Sequence, residues 1–209
     1  NQPQDISMDP EYEALCGITE DELLTVFDES IHELADKNKV SYEEMVAKLK
    51  KRYDGYHFGN ADVYCPWDVV NYCYDHYNDP DVAFQNYWMN TSGNDVIDHF
   101  VDSIDDPGML TKTELENLVN GDTVVKYVDE MVTYKELYLN IDNLWSTLFM
   151  TGYLTQREKE SDGRYHLAIP NREIRNIFVK RVLTLFGKNV SENSELLRSF
   201  CTAMLASDA

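Results

Sequence analysis

The segment Tyr53-Asp54-Gly55-Tyr56-His57-Phe58-Gly59 has the highest density of chemically capable side chains in the sequence. Asp54 and His57 supply a carboxylate and an imidazole three residues apart, a combination used in general acid–base catalysis. The two glycines indicate a backbone that turns sharply. The segment therefore predicts a tight loop that either lines a pocket or fills the core with its aromatic rings. No residue here is assigned a catalytic role, because neither a nucleophile nor a metal site accompanies the pair.

A run of basic residues comes immediately before this loop. Arg52 adjoins the aromatic segment and is expected to share its pocket or core-facing role, whereas the preceding lysines are candidates for contact with a phosphate or an acidic partner. The alternative is a solvated helix end stabilised by the helix dipole. Further candidate contacts lie on a predicted hairpin nearer the C-terminus. The candidate phosphate or partner contacts are Lys48, Lys50, Lys51, Arg157, Lys159 and Arg164.

Cys65, Cys73 and His76 have types that could bind zinc, with the last two one helical turn apart. Structural zinc sites usually take ligands in Cys-x2–4-Cys pairs, and that pairing is missing here. The sequence therefore predicts no metal site. Four scattered cysteines are also too few for a disulfide framework, which favours free thiols in a reducing cytoplasm.

Several motifs that are typical of enzymes are absent from the sequence. The pair Gly187-Lys188 is followed by Asn189 and lacks the upstream glycine, so no phosphate-binding Gly-x-x-x-x-Gly-Lys-Ser/Thr loop is present. No acidic residue stands two positions before a lysine, and neither Gly-x-Ser-x-Gly nor His-Glu-x-x-His occurs. We expect no cofactor bound to this chain and no catalytic activity of its own.

Helix starts can be recognised because a Ser or Thr is repeatedly followed three residues later by an acid, the capping-box pattern. Pro66 predicts another start, and apolar residues at helical spacing follow it: Trp67, Val70, Tyr74 and Tyr77. Residues 123–128 alternate as a strand does, and Tyr87-Trp88-Met89 is a possible short strand. The capping pairs are Thr19/Glu22, Ser41/Glu44, Ser92/Asp95, Thr111/Glu114 and Thr133/Glu136.

The last third of the sequence predicts a helix followed by a hairpin. An apolar helical stripe (Ile141, Leu144, Trp145, Leu148 and Phe149) ends at Gly152. Alternating residues on either side of Asp162-Gly163 then predict a β-hairpin. Asn171 is expected to cap a final long helix. With the helix predicted after Thr133, this gives two helices followed by a hairpin, the element order of a winged helix. A winged helix serves either as a DNA-binding unit or as a packing module.

The formal charge of −20 is unevenly distributed along the chain. Residues 38–60 and 146–209 are slightly basic, whereas the remainder is strongly acidic. Acidic surfaces repel phosphate backbones, so any nucleic-acid contact is expected only in the basic parts. No apolar run is long enough for a membrane span. The opening Asn1-Gln2-Pro3 lacks the features of a signal peptide and indicates a piece of a longer, cytoplasmic protein.

Six segments occur in a recognisable order along the sequence: 16–22, 53–59, 66–72, 87–92, 144–148 with 151–154, and 169–173. Together they resemble the later half of the AAA-ATPase-like family of bacterial proteins, which often carry a C-terminal PD-(D/E)XK-type nuclease domain. The resemblance covers nearly all of residues 1–185. It implies an N-terminal nucleotide-binding core that binds ATP and Mg²⁺ in the parent protein, and a following domain; both would be partners of this region.

The resulting expectation is a mainly α fold with a small β component, in which a helical lid-like region precedes a winged-helix-like unit with a hairpin. The predicted boundaries are 1–130 for the lid-like region, 131–187 for the winged-helix-like region and 188–209 for a linker and the start of a further domain. The expected function is that of a non-catalytic fragment of an ATP-hydrolysing parent. The alternative is a protein- or nucleic-acid-interaction module without ATP-linked activity.

Overall fold

The computed structural model describes residues 11–79, 81–88, 95–102, 112–133, 136 and 140–189. The chain is mixed α/β, 55% helical and 15% strand over these residues, with two small antiparallel sheets. A mainly helical chain with a small β component is therefore confirmed at this level. No helix in the described ranges is long and apolar enough to cross a membrane.

The chain forms two compact units. The first unit comprises residues 1–92 together with 170–173, and the second comprises 93–169 and 174–209. This division differs from the predicted boundary at residue 130, because residues 93–130 group with the second unit. The reason is long-range pairing: a strand at 124–127 joins the sheet formed by the later hairpin.

The first unit consists of helices around a small hairpin. A 3-10 turn at Glu13–Cys16 precedes four helices and two short strands. In chain order these are α1 Glu20–Val26, α2 Asp28–Asn38, α3 Tyr42–Tyr53, β1 Tyr56–Phe58, β2 Ala61–Val63 and α4 Pro66–Asn78.

Local capping explains where the first helices start. The Thr19 side chain accepts a hydrogen bond from the Glu22 amide and the Glu22 carboxylate accepts one from the Thr19 amide, which completes the predicted capping box of α1. The Ser41 side chain caps α3 in the same way through the Glu44 amide. The apolar spacing after Thr19 predicts a single helix, but the backbone departs from helical geometry at Phe27 and separates α1 from α2.

The predicted tight loop at residues 53–59 is instead the end of α3 followed by a β-hairpin. Strands β1 and β2 pair antiparallel, with His57 opposite Asp62. Gly59 occupies the turn with a φ of 57°, a conformation that glycine adopts without steric cost. The Asn60 amide donates to the Glu13 carboxylate over 2.7 Å, which ties the turn to the preceding 3-10 segment.

Helix α4 buries a different face from the one that its hydrophobic pattern indicates. Proline begins the helix at the predicted position, since its missing N–H is not needed there. The predicted apolar face, however, is exposed: Trp67 by 51%, Val70 by 49%, Tyr74 by 66% and Tyr77 by 74%. The buried residues of this helix are Asp68, Val69, Tyr72 and His76.

The second unit combines helices with a three-stranded sheet. Its strands are β3 Val124–Tyr127, β4 Thr155–Lys159 and β5 Arg164–Ala168, which lie in the order β3-β5-β4 with all neighbours antiparallel. The expected strand at 123–128 and the predicted hairpin about Asp162-Gly163 are thereby confirmed. Its elements are α5 Asp95–Asp102, α6 Lys112–Asn120, β3 Val124–Tyr127, α7 Ile141–Met150, β4 Thr155–Lys159, β5 Arg164–Ala168 and α8 Arg172–Asn189, whose first two residues group with the first unit.

The core of the second unit follows its sequence pattern. Trp145 and Leu148 of α7 are fully buried, as the apolar stripe predicts. Phe100 of α5 meets the Trp145 ring edge-on at a centroid distance of 4.8 Å and the Phe178 ring of α8 at 6.0 Å. Such edge-to-face contacts are the favoured geometry for aromatic rings.

Some expected features lie outside the described residues. They include the caps at Ser92 and Thr111, the body of the short helix after Thr133, and the predicted helix at 196–205. Tyr87 and Trp88 do not form the expected strand; the Trp88 amide instead donates to the carboxylate of Glu173.

Candidate functional site

Segments that are far apart in sequence meet in the first unit. Ile18 and Tyr64 exchange two backbone hydrogen bonds of 3.1 and 2.8 Å, which places the 16–22 segment beside β2. Gly17 lies so close to β2 that an added Cβ would stand 2.8 Å from the Tyr64 carbonyl oxygen. The approach of these two segments therefore requires glycine at this position.

Tyr53 lies at the centre of an aromatic cluster and not in a pocket. Its side chain is fully buried at the end of α3, with ring centroids 5.9 Å from Tyr72 and Phe84 and 6.4 Å from Tyr87. The Tyr53 hydroxyl donates to the Gln85 carbonyl over 3.4 Å. Burial raises the pKa of Tyr53 far above its ordinary value, so this hydroxyl stays protonated. Its role is in packing.

The remaining residues of the predicted loop divide between core and surface. Tyr56 is buried, whereas Phe58 is half-buried. Nδ1 of His57 lies 2.8 Å from an Asp62 carboxylate oxygen across the hairpin. Asp54 ends α3, and its Oδ1 is buried without a hydrogen-bond partner; burial raises its pKa. The imidazole thus has its cross-strand neighbour as a carboxylate partner, a local role that does not require Asp54.

Arg52 joins α3 to the segment before Trp88. Its Nη2 donates to Oδ1 of Asn86 over 2.6 Å. Its Nε is buried and has no hydrogen-bond partner. Burial raises the pKa of two nearby carboxyl groups, those of Asp68 and Glu173, and the positive charge of Arg52 partly opposes that rise. The side chain therefore faces the interior of the unit.

Asp68 and Glu173 form a buried carboxyl pair that holds residues 170–173 against α4. Their exposures are 1% and 0%. Oε1 of Glu173 accepts a hydrogen bond of 2.6 Å from the Trp88 backbone amide. The two carboxyl groups are close enough for each to shift the pKa of the other, and the Cys65 thiol is a further neighbour of Asp68. Three separated segments are thus joined through two acidic side chains.

One proton shared by the two carboxyl groups accounts for this arrangement. Oδ1 of Asp68 and Oε2 of Glu173 are both buried and have no donor. Two ionised carboxylates in contact would repel, whereas a proton on one of them allows a hydrogen bond to the other. Burial raises the pKa of both groups, most of all that of Glu173, and Arg52 opposes the shift. The pair therefore holds a proton under conditions in which exposed carboxylates have lost theirs.

The residues weighed as zinc ligands have separate environments. Cys65 occupies the N-cap position of α4 without a side-chain capping bond and lies beside Asp68, and burial raises the pKa of its thiol to about 12. His76 is buried near Asn38, with its Nε2 3.5 Å from the Asn38 amide nitrogen, and burial lowers its pKa. Within the described part of the chain, no group of three or more His, Cys, Asp or Glu side chains could hold a metal ion.

Most of the candidate phosphate contacts have acidic or polar neighbours. Lys48 pairs with Glu44 at 3.0 Å, and Lys50 pairs with Glu20 at 2.7 Å. On the hairpin, Arg164 lies between Asp162 and Glu160, and Lys159 donates to the Tyr165 hydroxyl. Arg157 is exposed at a bulge in β4, and Lys51 is exposed on α3; both have interactions of their own. The positive charges are therefore partly balanced within the protein.

Nothing in the residue types of Asp68 and Glu173 marks them as site residues in the sequence. Each stands in the first turn of a helix, where an acidic residue usually interacts with the helix dipole in solvent. Burial is therefore not expected for either one. The available signal is their position in the sequence, because each lies in one of the six family-like segments. Two acidic residues in separate segments of the same family pattern are candidates for spatial contact.

Comparison of the chain with protein-family models, with curated proteins and with solved structures finds no match. The resemblance to the AAA-ATPase-like family consequently rests on the six sequence segments themselves. Their residues in the first unit contribute the aromatic cluster, the Ile18–Tyr64 bridge and the carboxyl pair.

Proposed function

We propose that this chain is a non-catalytic accessory region of a larger AAA-ATPase-like protein, lid-like in its helical part and winged-helix-like in its later part. In this proposal, ATP and Mg²⁺ bind to a nucleotide-binding core outside these 209 residues. The accessory region transmits closure of that core to neighbouring parts of the protein.

The observation that carries the proposal is the inward orientation of the polar groups in the family-like segments. Asp68 and Glu173 are neighbours closed off from solvent, and Glu173 accepts a bond from the Trp88 backbone amide. Substrate would need access to any residue that acted on it. Groups arranged in this way hold segments together, and that is the task of an accessory region.

The topology of the second unit supports the winged-helix-like part of the proposal. A helix, α6, precedes β3, and α7 precedes the β4–β5 hairpin. The first strand pairs with the last, giving the order β3-β5-β4. This is the connectivity that a winged helix requires, and the helix predicted after Thr133 would complete it.

A nucleic-acid role is less well supported than a packing role. Sequence-independent binding to DNA requires Lys and Arg side chains that neutralise phosphates. On the hairpin, Arg164 pairs with two acids from the same turn. The exposed positions of α7 provide no basic side chain in the described ranges. We therefore favour packing against protein as the use of this unit.

The test is to titrate the purified chain with Mg·ATP by calorimetry and, separately, with a duplex DNA at several salt concentrations. We expect no saturable heat at about 1 mM Mg·ATP, the upper end of ordinary substrate ranges. We also expect no DNA binding that weakens with salt. Tight ATP binding or ATP hydrolysis by the chain itself would overturn the proposal, and salt-dependent DNA binding would favour the nucleic-acid alternative.

The parentage is tested by the reading frame that contains this segment. We expect an upstream Gly-x-x-x-x-Gly-Lys-Ser/Thr sequence between a predicted strand and helix in the same frame. A frame that begins near this segment and contains no such sequence would contradict the assignment to an ATPase.

A further inference from the structure

Helix α4 displays an aromatic face to solvent, which we call the outer face. Its members are Trp67, Val70, Tyr74 and Tyr77, each about half exposed or more. At about 100° per residue these positions fall within a sector of about 80°, and they extend over about 15 Å of helix. The residues diametrically opposite are the buried ones, so the helix has two distinct faces.

The outer face is unusual because it holds large aromatic side chains in solvent. The inward side buries Val69 and Tyr72 together with Asp68 and His76, whereas the outward side carries a tryptophan and two tyrosines. Burial of large aromatic side chains is among the strongest favourable terms in folding and binding. Exposed clusters of such residues are typical of interaction sites, in contrast to single exposed apolar residues.

The polar residues that border the outer face make bonds to their own helix. The Asn71 side-chain amide donates to the Trp67 carbonyl over 2.7 Å, and that of Asn78 donates to the Tyr74 carbonyl over 2.8 Å. These amide donors are therefore engaged within α4. The rings remain the principal groups that this surface offers to a partner.

The charge around the outer face is negative. No Lys or Arg occurs from Tyr53 to Thr111. Asp79 caps the C-terminal end of α4 and Asp81 follows it, both exposed at the end of the helix where the dipole is also negative. Lys37 lies near His76 on the side of α4 that packs against α2, and it pairs with Glu33. A cation from outside would meet little competition at this end of the outer face.

These observations identify the kind of partner. Anionic lipids and nucleic acids would be repelled by the aspartates. A second copy of this chain would bring two surfaces of the same sign together, in a protein of net charge −20. The four side chains expose on the order of 500 Å², less than the ~800 Å² per partner of a stable interface, which fits one docked helix.

We propose that the outer face of α4 is a docking surface for a basic amphipathic helix of a partner protein. The apolar residues of that helix cover Trp67, Tyr74 and Tyr77, and its Arg or Lys side chains contact Asp79 and Asp81. Guanidinium groups also stack favourably on tyrosine and tryptophan rings. This proposal does not depend on the ATPase parentage, since it uses only the surface and charge of the first unit.

The experiment is a selection from a displayed library of helical peptides about five turns long. Every peptide has an apolar stripe of Leu, Phe or Met, and its flanking positions are randomised between Lys/Arg and Asp/Glu. The full chain is the target. We expect peptides with basic flanks to be enriched at least about tenfold over peptides with acidic flanks, since tenfold is a clearly measurable difference in affinity.

The selected peptides are then measured against variants of the chain by fluorescence anisotropy. The double substitution Tyr74→Ser/Tyr77→Ser should weaken binding at least about tenfold, and Asp79→Asn/Asp81→Asn should reduce its salt dependence. The matched control is Tyr127→Ser, which alters a tyrosine that is 60% exposed in the second unit and should leave binding unchanged. Peptide binding should also shift the emission of Trp67, and Trp67→Phe should abolish that shift.

Four results would overturn the proposal. They are the absence of any enriched peptide, equal enrichment of acidic and basic flanks, binding that survives Tyr74→Ser/Tyr77→Ser, and self-association of the chain that these substitutions abolish. The last result would identify a second copy as the occupant. Hydrogen exchange of α3 and α4 in each variant, unchanged from the parent chain, verifies that lost binding does not reflect unfolding.

Discussion

The two units place their polar and aromatic groups in opposite ways. The second unit buries Phe100, Trp145 and Phe178 against one another. The first unit buries the Asp68–Glu173 pair inside a tyrosine-rich core and leaves the aromatic outer face of α4 in solvent. The orientation of an amphipathic helix therefore depends on its partners as well as on its own hydrophobic pattern.

The difference has a physical cause. In the second unit, the polar residues that α7 buries, Ser146 and Thr147, bond to backbone carbonyls of their own helix, so apolar burial selects the face of α7. In the first unit, turning α4 by half a turn would expose Asp68 and break its contact with Glu173 and Cys65. A buried polar group must keep its hydrogen bonds, so the network constrains the helix once it has formed.

The largest expected effect comes from the aromatic core of the second unit. Trp145→Ala should destabilise the second unit by about 3–5 kcal/mol, the range for removing a fully buried aromatic side chain. Hydrogen exchange of β3, β4 and β5, read by mass spectrometry, measures the loss. Tyr127→Ala on the exposed side of the same sheet is the control. A loss below about 1 kcal/mol for Trp145→Ala would mean that this core is not close-packed around the indole ring.

A smaller effect is expected from the polar core of the first unit. Glu173→Ala removes the carboxyl neighbour of Asp68 and the acceptor of the Trp88 amide bond, which should cost about 2–3 kcal/mol. Glu173→Gln retains an acceptor for the Trp88 amide and supplies a donor to Asp68, so it should change stability by less than about 1 kcal/mol. Hydrogen exchange of α3 and α4 distinguishes the two variants. Equal losses would contradict the shared-proton arrangement.

The same pair predicts a pH dependence of the first unit. Folding raises the pKa of Glu173, so the folded state binds more protons than the unfolded state above the ordinary carboxyl pKa of 4.5. The free energy of unfolding should therefore fall as pH rises from that value towards the raised pKa. The total fall is about 1.4 kcal/mol for every tenfold increase in proton affinity that the carboxyl group gains on folding. Urea denaturation at a series of pH values measures this trend.

The control for the pH series is Glu173→Gln, which cannot titrate. Burial lowers the pKa of His76, so this residue destabilises the fold at low pH, in the opposite sense. Subtracting the curve of the variant from that of the parent chain removes this and other background contributions. A difference curve that is flat, or that rises with pH, would exclude a raised pKa at Glu173.

The helix starts and the second hairpin could be predicted because local chemistry determines them. Thr19 and Ser41 cap helices through bonds to residues three positions away, and Asp162-Gly163 makes its turn within a few residues. Gly59-Asn60 carries the same kind of local signal for the first hairpin, but its flanking strands are too short to show an alternating pattern. The break at Phe27 has no comparable cue, since the buried face continues across it.

The candidate site could be predicted only in part. Arg52 and Tyr53 stand out by type and spacing, and both face the interior of the first unit. The partner of Asp68 was not foreseeable, because Glu173 lies in a segment far along the chain. The inward face of α4 followed from that pairing. A pattern confined to one helix therefore identified the element but could not decide which side of it is buried.

The smallest expected effect is the one that tests the orientation of α4 most directly. If Tyr74 is on the outer face, Tyr74→Ser should change the stability of the first unit by no more than about 0.5 kcal/mol, the usual range for surface substitutions. If the hydrophobic pattern had determined the buried side, the same change would remove a core ring and cost about 3–5 kcal/mol. Tyr72→Ser, in the same helix and fully buried, is the matched control and should cost at least about 3 kcal/mol. Urea denaturation of the two variants separates the alternatives. In the observed orientation of α4 the fold requires Tyr72, whereas in the opposite orientation it would require Tyr74.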